Sequence, residues 1–167
     1  MIVQISPVET SDVEAIAALA RVVWQDAYPG IITQAQIDFM LEQRYNAPHL
    51  LEELALPEIW WDKATVDGEL AAFASTLPTA TPGEMKLDKI YVDPARQRVG
   101  LGGRLIAHVT ERMRAHGCAT LILAVNKRNE RAIAAYKKHG FTVREAVRVD
   151  IGNGFVMDDF IMEKSLR

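Results

Sequence analysis

With one cysteine, Cys118, the 167-residue chain can form no disulfide within itself. His116 lies two positions away, but no further ligands follow at the spacing of a metal site, so Cys118 reads as a small core residue. The four histidines, His49, His108, His116 and His139, also share no metal-ligand pattern. His116 and His139 stand immediately before glycines, where an imidazole complements a helix C-terminus. Nor is there an excess of positive charge: 19 Lys and Arg against 22 Asp and Glu leave a net charge of -3. That balance excludes a general nucleic-acid binder, and any anion must be held locally. The opening residues lack a basic stretch followed by an apolar core and a small-residue cleavage site, and no apolar run reaches bilayer length. The expectation is a cytoplasmic chain without a membrane partner. Internal repeats, low-complexity segments and linkers are also missing.

What is present is 49% hydrophobic and 25% charged sequence, enough for one domain, residues 1–167, to bury a core without metals. Residues 2–6 read as a strand. Thr10, Ser11 and Asp12 offer caps for a helix with Val13, Ile16, Leu19, Val22 and Val23 on its apolar face, ended by Pro29-Gly30. Further helices are predicted over 33–43 and 48–54. Residues 58–66 and 70–77, separated by Asp67-Gly68-Glu69, form an antiparallel hairpin. After a loop at 78–83 the pattern becomes strand (85–92), helix (102–115), strand (120–125), helix (129–139), which implies a parallel pair with a right-handed crossover. Two strands, 142–150 and 155–164, close the chain around Gly152-Asn153-Gly154. Adjacent Trp60 and Trp61 must face opposite sides of their strand, and the outward one is available to an interface.

The segment Asp93-Pro94-Ala95-Arg96-Gln97-Arg98-Val99-Gly100-Leu101-Gly102-Gly103-Arg104 ends a strand and opens a helix through glycines. Glycines let a ligand approach the backbone, and a helix N-terminus presents free N–H groups and partial positive charge. The natural guest is a phosphate or pyrophosphate, with Arg96, Arg98 and Arg104 adding local charge. A dinucleotide-binding fingerprint needs Gly where Leu105 stands, and a P-loop needs Lys-Ser or Lys-Thr after Gly103, where Arg104-Leu105 follow. A Gly-rich turn without a ligand is the alternative for this loop alone. The next helix adds Asn129 as an N-terminal cap, Tyr136 two turns later on the same face, and Gly140 as a C-terminal cap with Phe141 tucking back.

Together, Ile90-Tyr91-Val92, Gln97-x-x-Gly100-x-Gly102, Asn129-x-x-Ala132-x-x-x-Tyr136 and Gly140-Phe141 resemble the signature of the GNAT superfamily of acyl-CoA N-acyltransferases over residues 85–142. The stretches Trp24-Gln25-Asp26-Ala27-Tyr28-Pro29-Gly30-Ile31 and Met157-Asp158-Asp159-Phe160-Ile161-Met162 are also similar to the branch containing PaiA-type polyamine acetyltransferases.

The resemblance implies an α+β fold: a mixed, mostly antiparallel sheet with helices on both faces and a splayed parallel strand pair that holds coenzyme A. It implies acetyl transfer from acetyl-CoA to a primary amine, a polyamine or other small amine, by direct attack and without a metal. Ile90, Tyr91 and Val92 would pair with the pantetheine arm, the Val92 N–H polarising the thioester carbonyl. Amides of Arg98, Val99, Gly100, Leu101, Gly102, Gly103 and Arg104, with Gln97, would hold the pyrophosphate. Asn129 would contact the arm, Lys138 a phosphate, and Tyr136 would protonate the departing thiolate. Lys86 occupies a position where some relatives carry Glu, so the base stays open between Glu84, Asp88 and a water relay. Trp24, Tyr28 and Ile31, with the acidic Asp158 and Asp159, are the candidate walls for the acceptor, by cation–π contact and charge attraction. A CoA-binding sensor without turnover, a scaffold or partner-binding module, an acetyltransferase acting on a protein or peptide amine, and a homodimer remain alternatives to test.

Overall fold

Two tight turns fix the register of two antiparallel pairs. Asp67 and Gly68 have φ of 51° and 84°, and Asn153 and Gly154 have φ of 54° and 78°, the left-handed pair that a two-residue hairpin matched to strand twist requires. The computed structural model describes residues 1–167 except the side chains of Gln97 and Arg98, so what those two side chains do lies outside the described residues. The order of elements is β1 (Val3–Pro7), α1 (Val13–Ala27), α2 (Gln34–Arg44), α3 (Ala47–Leu54), β2 (Trp60–Val66), β3 (Glu69–Pro78), β4 (Glu84–Val92), α4 (Leu101–Ala115), β5 (Thr120–Asn126), α5 (Glu130–Lys138), β6 (Thr142–Gly152) and β7 (Phe155–Ser165). Each helix and strand expected from the sequence is present.

The strands form one seven-stranded sheet in the order β1-β2-β3-β4-β5-β7-β6. All neighbours are antiparallel except β4 and β5, whose pairing stops after Glu84↔Thr120, Met85↔Leu121 and Lys86↔Ile122. Beyond Lys86 the two strands diverge, and the sheet is notched at its centre.

Helices cover both faces. On one, Leu101, Leu105, Ile106, Val109 and Met113 of α4 pack with Met85, Leu87, Leu121, Leu123, Phe141 and Met162, joined at the margin by Ala132, Ile133 and Tyr136 of α5. On the other, Ile16, Ala20, Val23 and Trp24 of α1 pack with Ile37 and Met40 of α2, Leu50 of α3, and Trp61 and Phe73 of the sheet. Thr33 and Asn46 cap α2 and α3 through their side-chain oxygens, which accept from the backbone N–H groups of Gln36 and His49. No helix among the described residues is long and apolar enough to cross a membrane.

Two expectations change. Val22 is exposed, because the buried stripe of α1 is centred on Ile16, Ala20 and Val23, and Val22 lies off that stripe on the solvent side. Trp60 and Trp61 do face opposite ways, but neither is bare: Trp61 lies in the core beneath α1, and Trp60 is covered by the Arg112 guanidinium at 5.0 Å and the His116 ring at 5.1 Å. In a sheet covered on both sides, the outward face of a strand is a second interior.

Candidate active site at the central notch

Strand alternation decides what the notch offers. Val92 stands opposite Ala72, and the N–H of Asp93 donates to the Ala71 carbonyl at 2.8 Å. The N–H groups of Tyr91 and Asp93 therefore point to β3, while those of Ile90 and Val92 point to the edge that β5 has left. A half-buried strand edge with open donors is a template for an extended ligand.

At the end of β4, Asp93 caps a 3-10 turn, Pro94–Val99, by accepting from the Ala95 N–H at 3.0 Å. Gly100 then takes φ of 75°, a left-handed conformation that lets the turn run straight into α4. The first helical bond of α4 is Arg104 N–H to Gly100 carbonyl at 3.1 Å, so the amides of Leu101, Gly102 and Gly103 are free of helical partners and face outward as a group. A side chain on Gly102 would lie 3.6 Å from the Val92 methyl, and one on Gly103 would come within 2.7 Å of the His139 ring. The two glycines let α4 sit against both β4 and the end of α5. Arg96 is less available than its position suggests: its guanidinium is 2.7 Å from Glu69. Arg104 and Lys138 are exposed.

Asn129 caps α5, its Oδ1 accepting from the Ala132 N–H at 3.2 Å. Two turns on, Tyr136 packs its ring edge-on against Phe141 at 5.8 Å, and burial pushes its phenol up to about 12. Tyr28, at the end of α1, approaches from the other face of the sheet. Burial raises its phenol strongly, with Tyr91, Tyr136 and Asp159 adding to the rise and the Asn129 side chain opposing it through a hydrogen bond. Tyr28, Tyr91, Asn129 and Tyr136 are thus neighbours at the opening between β4 and β5. Trp24 stands behind Tyr28, stacked at 4.4 Å and buried, so it supports the opening from the rear. Its indole N–H faces the Tyr91 hydroxyl without forming a well-aligned bond, and that hydroxyl pairs with Tyr45 at 2.6 Å.

Ile31 lines a pocket of about 510 Å³ together with Gln36, Asn126, Arg128, Arg148 and Asp158. Arg128 builds its rim: the guanidinium donates to the carbonyls of Gly30 and Ile31, both at 2.7 Å, and ties the loop after α1 to the start of α5. Sequence reasoning did not find this tether, whose partners are backbone atoms almost a hundred residues away.

The candidate bases occupy different settings. Glu84 lies where β4 and β5 are still paired, accepting from Thr79 at 2.8 Å and Arg144 at 2.9 Å, and these partners outweigh burial to hold it below its usual value. Asp88 is surrounded by Lys89 at 2.8 Å, Arg44 at 3.4 Å and Lys86 at 3.7 Å; against the effect of burial they keep it ionised below the usual range. Asp159 behaves oppositely, with burial as the leading cause of a raised value. Among the described residues no group of three or more His, Cys, Asp or Glu could hold a metal ion.

Known proteins share this arrangement. The pattern of the Acetyltransferase (GNAT) family matches residues 19–141. A spermidine N(1)-acetyltransferase of Thermoplasma acidophilum is 26% identical over 168 residues, covering 98% of each chain. A ribosomal protein bS18-alanine N-acetyltransferase of Escherichia coli K12 is 43% identical over 77 residues, 46% of this chain and 51% of the relative. The crystal structure of a PaiA N-acetyltransferase from Thermoplasma acidophilum in complex with coenzyme A matches with a TM-score of 0.87 and 25% identity over 99% of both chains. A sheet notched at its one parallel pair, a glycine-opened helix beside it and a family match across most of the chain lead to one conclusion: this is an N-acetyltransferase belonging to the GNAT family.

Proposed function

We propose that residues 1–167 act as one domain that moves an acetyl group from acetyl-CoA to a primary amine by direct attack, with a polyamine as the favoured acceptor. The observation that carries this reading is the divergence of β4 and β5 after three residue pairs, which leaves β4 amides unpaired next to the free N-terminal amides of α4. These groups fit the donor: amides with glycine behind them suit a pyrophosphate, and a strand edge suits a chain of amides such as pantetheine.

Acetyl-CoA supplies a thioester carbonyl for attack and a thiolate that leaves. The N–H of Val92 stabilises negative charge that develops on the carbonyl oxygen. The amides of Leu101, Gly102 and Gly103 bind the pyrophosphate with those of Arg98, Val99 and Gly100 before them, whereas the Arg104 N–H is taken by the Gly100 carbonyl and leaves only its exposed side chain for the ligand. The side chain of Gln97 is a further candidate, and Lys138 reaches toward a phosphate. Ile90 aligns the arm, Tyr91 being turned to β3 instead, and Asn129 fixes its position from the start of α5. Tyr136 gives its proton to the sulfur. Tyr28 and Ile31 guide the amine, with Trp24 holding Tyr28 in place. Use of this donor fits a cytoplasmic setting.

The full-length likeness to a spermidine acetyltransferase supports the polyamine, and the likeness to an enzyme acting on a ribosomal-protein alanine favours a peptide α-amine as the second reading. Release of thiol from acetyl-CoA, followed with spermidine and with an alanyl peptide, separates the two. The expected result is turnover with spermidine at least tenfold above the peptide. Turnover of the peptide alone would replace the first reading with the second. No thiol from either, or from a wider set of primary amines, would remove the enzyme reading in favour of a binding protein.

A further inference from the structure

An amine resembling a lysine side chain has a pKa near about 10.4 and is protonated at neutral pH, so its proton must go somewhere before attack. Glu84 lies at the closed end of the strand pair, and Asp88 is held by three cations. Asp159 stands on β7 opposite Asn126, the last residue of β5 and part of the wall of the 510 Å³ pocket. It is 7% exposed, and its Oδ1 is buried with no hydrogen-bond partner among the described residues. A buried carboxylate oxygen without a donor is costly unless a ligand supplies one. The groups that act on it are Tyr28 from the end of α1, Lys86 from β4, Lys127 from the β5–α5 connection and its neighbour Asp158. Lys127 is engaged with Asp158 at 2.6 Å, and Lys86 is 3.7 Å from Asp88, so neither cation is given over to Asp159.

We infer that the Asp159 carboxylate receives the acceptor's ammonium group and takes its proton. The inference rests on the acetyl-transfer reading and assigns that site its base. One N–H bond of the ammonium breaks as an O–H bond forms on Asp159. The freed lone pair forms the C–N bond, the C–S bond breaks with its electron pair going to sulfur, and Tyr136 protonates the sulfur. The second proton lost by nitrogen returns to the Tyr136 phenolate, and Asp159 releases its proton to water. Burial, with Asp158 adding to it, raises Asp159 above the ordinary carboxylate value, closer to what a base working near neutral pH needs.

The test is the pH profile of kcat/KM for spermidine in the wild type and in Asp159→Asn, with acetyl-CoA affinity measured by calorimetry on the same preparations. The wild type is expected to have a plateau between the ionisation of Asp159 and that of the amine. The variant, left to use amine already deprotonated by solvent, should fall on the order of 10²–10⁴-fold at pH 7 and recover about tenfold per pH unit on the way to the amine's own pKa. Its acetyl-CoA affinity should stay within twofold. If Asp159→Asn fails to bind acetyl-CoA, Asp159→Ser takes its place with the same expectations. A ratio of variant to wild type that is constant across pH, or a variant as active as the wild type, would overturn the assignment and leave acetyl transfer standing. A wild type that releases no thiol with any amine would instead overturn the functional reading and this inference with it.

Discussion

A phenol can protonate a thiolate only while it still holds its own proton. Burial pushes Tyr136 up to about 12, so the acid form persists throughout the range in which enzymes are assayed. Because the shift is upward, deprotonation begins only as the pH rises toward that value. Tyr136 therefore contributes no basic limb near neutrality, and an acidic limb seen on the low-pH side belongs to Asp159. Removing the hydroxyl in Tyr136→Phe leaves the ring against Phe141 and the core beneath α4. We expect kcat/KM to fall about 10²–10⁴-fold, the usual range for a lost general acid, while acetyl-CoA affinity changes less than threefold. Thiol-release kinetics with calorimetry on the same protein checks both halves. Undiminished turnover would take Tyr136 out of the acid role.

At the scale of the element, β4 does more than its length suggests. Ser75 pairs with Lys89 and Thr76 with Leu87, so Asp88 is an extra residue, a bulge. Leu87 faces the core beneath α4, whereas Asp88 and Lys89 both turn to the other face, toward Arg44 and Glu53. Lys89 is fully buried, with its ammonium 2.8 Å from Asp88, 3.0 Å from Glu53, and over the rings of Tyr45 and Trp61. Breaking a buried ion pair by removing one partner costs about 3–5 kcal/mol when the remaining charge has no compensation. Here Arg44 and Lys86 stay beside Asp88, and His49 beside Glu53, so Lys89→Ala should lose stability at the lower end of that range, read from the urea midpoint; a loss under about 1 kcal/mol would mean that the remaining partners compensate both carboxylates. The strand itself was legible from its alternation. Its bulge was not, although two successive charges, Asp88-Lys89, interrupt that alternation and are the one local sign of it. The glycine-rich turn, the Asn129 cap and Tyr136 were legible because their chemistry depends on spacing along one or two elements. The Arg128 tether and the solitary Asp159 oxygen depend on what the rest of the chain brings near them, which no local pattern encodes.

At the scale of the whole molecule, the sheet is joined at its centre by three residue pairs, and past Lys86 nothing in the backbone bridges β1–β4 to β5–β7. α4 links the halves through Leu105, Val109 and Met113, which belong to a core shared by Met85 and Leu87 on one side and Leu121 and Leu123 on the other, and the Arg128 tether and the Arg144–Glu84 pair add to that link. A ligand lying in the notch would supply the missing bridge and would bind only the folded chain. At a hundred times its dissociation constant such a ligand stabilises by about 2.7 kcal/mol. For a chain of this size each kcal/mol moves Tm by about 2–4 °C, so coenzyme A should raise Tm by about 5–11 °C. Mass action alone would give the same shift for any fragment at equal saturation, so the location of the effect is the sharper measurement. Hydrogen exchange at Ile90 and Val92, whose N–H groups face the opening, should slow with coenzyme A and stay unchanged with adenosine 3′,5′-bisphosphate, which reaches the α4 amides but carries no arm. Equal protection by both compounds would mean that binding at the helix end alone closes the sheet, and that the strand edge is not where the arm lies.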